Sequence, residues 1–164
     1  MRVGVFPGSF DPVTKGHMDL IERAAVMVDH LIVGVLNNSM KQPYFSATER
    51  VAMIEEALKE DGKENITVVS FDGMLVEFAA LHNCNIIFRG IRNEADFTYE
   101  ASIAQVNRNL APQMDTCFLM ASPEYSFVSS SVVKEVAAYG RSIKEYVPSS
   151  VEKRMNERRL KYKE

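Results

Sequence analysis

Apolar positions recur along the chain in two alternating rhythms. Val3, Val5 and Phe6 make a short run of the kind a buried strand shows, closed by Pro7 and Gly8. From Gly16-His17 onward the apolar residues Met18, Ile21, Ala25 and Val28 recur at helical spacing. Leu31 to Leu36 is continuously apolar, as in a parallel strand covered on both faces. Ser46-Ala47-Thr48-Glu49 has the form of a capping box and leads a helix with Ala47, Val51, Ile54 and Leu58 inward.

The alternation continues to the end of the chain. Ile66 to Phe71 predicts a third strand, Asp72-Gly73 a turn, and Leu75 to Leu81 a short helix. Cys84 to Phe88 predicts a fourth strand ending at Arg89-Gly90-Ile91-Arg92. A helix from Ala95 to Leu110 follows, with Phe97, Ile103, Val106 and Leu110 as its core stripe. Thr116 to Met120 is the fifth strand, Val132 to Tyr139 a helix stopped by Gly140, and Pro148-Ser149 opens a terminal helix to about residue 163. Five strands alternating with helices imply a doubly wound, Rossmann-like α/β fold: a five-stranded parallel sheet with helices on both faces. With no repeat, low-complexity tract or linker, all 164 residues read as a single domain.

Composition narrows the partners. A net charge of -3 argues against a nucleic-acid binder, and no apolar run approaches the ~18 residues of a membrane span. Cys84 and Cys117, the only cysteines, lie in apolar runs and read as buried free thiols, which fits a reducing cytoplasm. His30, His82 and the cysteines lack metal-ligand spacing, so no metal-ligating residue is assigned; His82 reads as a helix-end residue. The terminal stretch Glu152 to Glu164, with six Lys/Arg against three Glu, reads as a solvated or subunit-edge helix.

The chemistry-bearing residues collect after strands one, four and five, in GSFDPVTKGH, RGIR and SPEYSFVSSS. These lie at carboxyl ends, where a doubly wound sheet binds ligands if strands one and four are neighbours. A strand, a polar glycine-containing turn and a helix N-terminus suit a phosphate; Arg89 and Arg92 suit oxyanions; the serine run makes a second phosphate cradle. Each segment also has a plain reading, as a turn, a pair of solvated arginines and a helix cap. The chain has neither the G-x-x-x-x-G-K-[ST] run nor the G-x-G-x-x-G run.

Thr14-Lys15-Gly16-His17 resembles the T-x-G-H form of the nucleotidylyltransferase H-x-G-H signature, and Ser129 to Lys134 resembles the second signature, I-S-S-T-x-x-R, with Lys134 in place of arginine. With RGIRNEADFTYE and YSFVSSSVVKEVA in the same order, the chain resembles the bacterial phosphopantetheine adenylyltransferases from its first strand to about Ala138. The resemblance implies AMP transfer from ATP to 4′-phosphopantetheine by direct in-line attack, with Mg²⁺ as the ion, a homohexamer and possible feedback by coenzyme A. It implies that Ser9 and Lys41 contact both substrates' phosphates and that Leu75 and Arg89, with Asn107 and Glu135, hold phosphopantetheine. Around ATP it sets Phe10, His17, Gly90, Ile91, Arg92, Glu100 and the run Tyr125, Ser126, Phe127, Val128, Ser129, Ser130 and Ser131. Here His17 is the transition-state donor, while Lys41 and Arg92 neutralise repulsion between two anions. Two other readings stand beside it: the same transfer to nicotinamide mononucleotide or a polyol phosphate, and a non-enzymatic nucleotide sensor.

Overall fold

The computed structural model describes residues 1–38, 40 and 42–161. Its elements run β1 (Val3–Gly8), α1 (Lys15–Val26), β2 (His30–Leu36), α2 (Ala47–Glu60), β3 (Ile66–Phe71), α3 (Leu75–Leu81), β4 (Ile86–Ile91), α4 (Glu94–Leu110), β5 (Asp115–Met120), a 3₁₀ turn (Pro123–Tyr125), α5 (Ser130–Ala138) and α6 (Ser149–Lys161). All strand pairs are parallel, in the order β3-β2-β1-β4-β5. The chain therefore starts at the centre, builds outward through β2 and β3, and crosses to the far side of β1 for β4 and β5. The reversal falls between β1 and β4.

Alternation along the strands divides the core. Phe6, Val33 and Phe88 point to the layer holding α1, α2, α5 and α6, whereas Val5, Ile32 and Ile87 point to the layer with Val76, Phe78 and Met114. α1 is capped by Thr14 and α2 by the Ser46–Glu49 capping box. Gly140, with φ at +75°, follows α5 as a left-handed C′ residue. Cys117 lies on β5, while Cys84 is buried just ahead of β4; both thiols are free.

Four expectations are corrected. β1 continues through Pro7 and Gly8: its ladder with β2 runs from Val3↔His30 to Gly8↔Val35, but its ladder with β4 consists of Gly4↔Ile86 and Val5↔Ile87 alone. A strand residue points its N–H and C=O to the same side, and the Pro7 carbonyl accepts from Arg89 of β4. The missing Pro7 N–H thus belongs to the edge where the β1–β4 ladder has already ended, so the proline costs no rung. β4 likewise does not end at Phe88, because β5 pairs with it as far as Ile91↔Met120.

The third correction concerns α4. Phe97, Ile103, Val106 and Leu110 are exposed, with Val106 at 54%, although the Phe97 ring meets Phe118 edge-on at 5.5 Å. The less exposed positions are Asp96, Glu100, Ala101, Ala104 and Asn107, a small and polar stripe. Periodicity identifies a face and not its direction. The terminal helix, in turn, is more than a solvated edge: Val151 and Met155 are buried, and Arg154 and Arg158 pair with Glu56 and Glu49 of α2.

Candidate active site

The turn after β1 delivers His17 in a defined chemical form. Thr14, in extended conformation, accepts the His17 backbone N–H on Oγ1 at 3.2 Å, and the His17 ring returns the contact by accepting the Thr14 N–H on Nδ1 at 3.0 Å. A backbone N–H can only donate, so Nδ1 carries the lone pair and the ring proton sits on Nε2. Burial, then the charges of Arg92 and Arg89, lower the His17 pKa from 6.5 to about 4. At neutral pH His17 is an uncharged N–H donor. Its ring stands edge-on to Phe10 at 5.2 Å, and Phe10 is buried with φ at +49°.

Across the β1–β4 gap lies Arg89. Its Nε and Nη2 donate to the two carboxylate oxygens of Glu100 at 2.7 and 2.6 Å, and its Nη1 donates to the Pro7 carbonyl at 2.8 Å. The guanidinium spans the place where the two strands cease to pair. Arg92, at the start of the following turn, pairs with Asp96 at 2.9 Å and remains 38% exposed.

The serine run closes the far wall. Ser129 caps α5 by accepting the Val132 N–H at 3.2 Å, and Ser130 donates to the Pro12 carbonyl at 2.8 Å, joining this helix to the first turn. Tyr125 packs over Gly16, where an added Cβ would stand 3.2 Å from the tyrosine Cβ.

Two cavities result. One of about 310 Å³ is lined by Ser9, Phe10, His17, Arg92, Tyr125 and Ser130, among others. The second, of about 320 Å³, is lined by Leu36, Phe71, Leu75, Ile103, Asn107 and neighbouring groups. Pro7, Gly8, Ser9, Arg89 and Glu100 line both, forming a common wall. Two ligands bound there would meet at Ser9 and Arg89.

The cytidylyltransferase-like family model matches residues 5–136. Curated relatives named phosphopantetheine adenylyltransferase include one from Levilactobacillus brevis, 52% identical over 94% of this chain and 95% of its own. Another from Alkaliphilus oremlandii is 49% identical over 96% and 99%, and one from Lachnoclostridium phytofermentans is 48% identical over 92% and 91%. The chain belongs to the phosphopantetheine adenylyltransferase family. Its fold is shared with a Vibrio parahaemolyticus protein provisionally assigned as a nicotinate-nucleotide adenylyltransferase, at TM-score 0.70 and 15% identity over 96% of this chain and 94% of that one. A Thermoplasma volcanium lipopolysaccharide core biosynthesis protein matches at TM-score 0.53 and 21% identity, over 74% and 97%.

Within this family member the expected residues divide. The first cavity gathers Ser9, Phe10, His17, Gly90, Arg92, Glu100, Tyr125, Val128, Ser129 and Ser130, and the second gathers Ser9, Leu75, Arg89 and Asn107. Ile91 is buried in the sheet, Ser126, Phe127 and Ser131 line neither cavity, and Glu135 is exposed on α5 away from both. Lys41 lies outside the described residues.

Sequence reasoning missed three residues. Asp96 pairs with Arg92 and fixes its direction, and Asp11, read as part of a turn, accepts the Tyr44 and Phe45 backbone N–H groups at 2.7 and 2.8 Å. Arg50 is buried on the inner face of α2. Its signal was present, as a cation at helical spacing from Met53, Ile54 and Ala57.

Proposed function

We propose that this chain catalyses the reversible transfer of an adenylyl group from ATP to 4′-phosphopantetheine, giving dephospho-coenzyme A and pyrophosphate. The observation that carries the reading is the common wall: two cavities share Ser9 and Arg89, and only the first holds His17. ATP occupies the first cavity and phosphopantetheine the second. Leu36, Phe71, Leu75 and Ile103 suit a thin, largely apolar arm better than a second nucleoside, and Asn107 supplies an amide partner.

The chemistry needs no activated side chain. An oxygen of the acceptor phosphate attacks the α-phosphorus, the new P–O bond forms in line with the bond to the β-phosphate, and that bond's electron pair leaves with pyrophosphate. His17 donates Nε2–H to the α-phosphoryl oxygens as charge builds, which requires the neutral tautomer fixed by Thr14. Arg89 sets the acceptor phosphate against this centre, and Arg92 and Lys41 offset the repulsion between the anions.

Mg²⁺ fits this nucleotide chemistry, but among the described residues no group of three or more His, Cys, Asp or Glu is arranged to hold an ion, and Glu100 and Asp96 are taken by arginines. The ion would therefore be held chiefly by the ATP phosphates, whose charge it would partly neutralise. We further propose one domain, a cytoplasmic homohexamer that covers the exposed Phe97, Tyr99, Val106 and Leu110 of α4, and feedback by coenzyme A, which shares the product's body. No helix among the described residues is long and apolar enough to cross a membrane.

The test is pyrophosphate release from ATP by the purified protein. Release that depends on 4′-phosphopantetheine, and not on nicotinamide mononucleotide or a polyol phosphate, is the expected result. Release with another acceptor alone, or with none, contradicts the assignment.

A further inference from the structure

Arg50 occupies a place that packing alone does not explain. It is 1% exposed, and among the described residues no carboxylate is hydrogen-bonded to it. Its donors go to three backbone carbonyls: Nε to Phe45 at 3.0 Å, and Nη1 to both Ser9 at 2.7 Å and Leu36 at 2.9 Å. The last rung between β1 and β2 is Gly8↔Val35, so the two carbonyls that share Nη1 belong to the next residue on each strand. A side chain thus takes the place of the next rung at the carboxyl ends of β1 and β2, beside Ser9, which lines both cavities.

The same segments are tied a second time. Asp11, two residues beyond Ser9, accepts the N–H groups of Tyr44 and Phe45, whose neighbouring carbonyl is held by Arg50. Burying a cation is expensive, and an apolar side chain among Met53, Ile54 and Ala57 would serve a purely structural need at least as well. What an apolar side chain cannot do is fix three carbonyls at once.

We infer that Arg50, together with Asp11, is a positioning residue for adenylyl transfer: it sets the Ser9 backbone against the reacting phosphates, with Tyr44 and Phe45 tied behind it. This rests on the adenylyl-transfer reading of the two cavities. Arg50 touches no substrate in this account. Its effect is on geometry, and a displacement of about 1 Å in such a site can cost ~10²-fold in rate.

The experiment compares Arg50→Met and Arg50→Lys with the wild type, measuring kcat per folded protein, both KM values and melting temperature. Methionine preserves bulk, and lysine preserves charge without the fork. We expect kcat to fall tenfold or more in both, with KM values moving less than kcat and the lysine variant the better of the two. An unchanged kcat, a change confined to KM, or a loss seen only in folded fraction or melting temperature overturns the inference. If neither variant folds, Asp11→Asn decides: a fall in kcat in a folded protein supports the pair's role, and an unchanged kcat removes it. A wild type without phosphopantetheine-dependent pyrophosphate release would instead remove the underlying reading.

Discussion

Thr14 and His17 hold each other: the Thr14 N–H is donated to His17 Nδ1 at 3.0 Å, and the His17 N–H to Thr14 Oγ1 at 3.2 Å. The reciprocal pair is a capping box in which histidine takes the place of the usual Glu or Gln. One local motif therefore starts α1, orients the imidazole and selects its tautomer.

A pH dependence follows. The unfolded imidazole takes up its proton near pH 6.5 and the folded one near pH 4, so between these values the unfolded state holds more protons. Stability contributed by neutral His17 is present above pH 6.5 and is lost as pH falls toward 4. His17→Gln keeps an acceptor for the Thr14 N–H and has no such titration. The melting temperature of the wild type should fall relative to this variant between pH 6.5 and 4; a constant difference would show that His17 titrates normally.

Glu100→Gln should release Arg89. The glutamine retains one acceptor but not the charge, and the half-buried guanidinium loses a bidentate partner. About 1–3 kcal/mol of stability should be lost, less than for a fully buried pair because Arg89 is 30% exposed. The KM for phosphopantetheine should rise tenfold or more, since Arg89 is then held only by the Pro7 carbonyl and a single amide oxygen. Unchanged KM with lowered stability would make the pair structural.

Much of this arrangement was legible because local signals agreed with the fold. Ser46 and Glu49 announced α2, Ile66 to Phe71 matched β3, and the blocks at the carboxyl ends of β1, β4 and β5 do converge at the reversal of strand order. What stayed illegible depended on partners distant in sequence. Pro7 reads as a strand breaker until β4 is seen to leave β1 after Val5. The Phe97 to Leu110 stripe and the stripe of Glu100, Ala104 and Asn107 have the same helical period, and only the cavities show which one faces inward. Arg50 stands visibly on the apolar face of its helix, but what it serves there is not legible, because the three carbonyls lie 5, 14 and 41 residues away.

Gly90 leaves room for the tip of Leu20. A Cβ there would overlap Leu20 Cδ1, and Leu20 is one turn beyond His17 on α1. Gly90→Ala should cost about 1–3 kcal/mol through overpacking and lower kcat by shifting the helix that carries His17. Wild-type melting temperature and turnover would mean that Leu20 simply rotates aside.

Arg158 joins the terminal helix to the segment next to the site. It donates to the Tyr44 carbonyl, pairs with Glu49 at 2.8 Å and lies 4.6 Å from the Phe45 ring centroid. Arg158→Ala should lower stability by about 1–2 kcal/mol and weaken turnover less than the Arg50 variants, because Asp11 and Arg50 still hold Phe45. Turnover reduced as far as in Arg50→Met would make α6, and not α2, the principal support.

The central claim is that neutral His17 acts on the transition state. His17→Ala removes the Nε2–H donor, and loss of one preorganised donor costs ~10²- to 10³-fold in kcat. The decisive measurement is kcat together with the ATP dissociation constant for this variant, at a pH where it is folded. The account predicts a fall in kcat of at least ~10²-fold with the ATP dissociation constant changed less than about threefold. Near-normal turnover, or ATP affinity lost in proportion to rate, would contradict it.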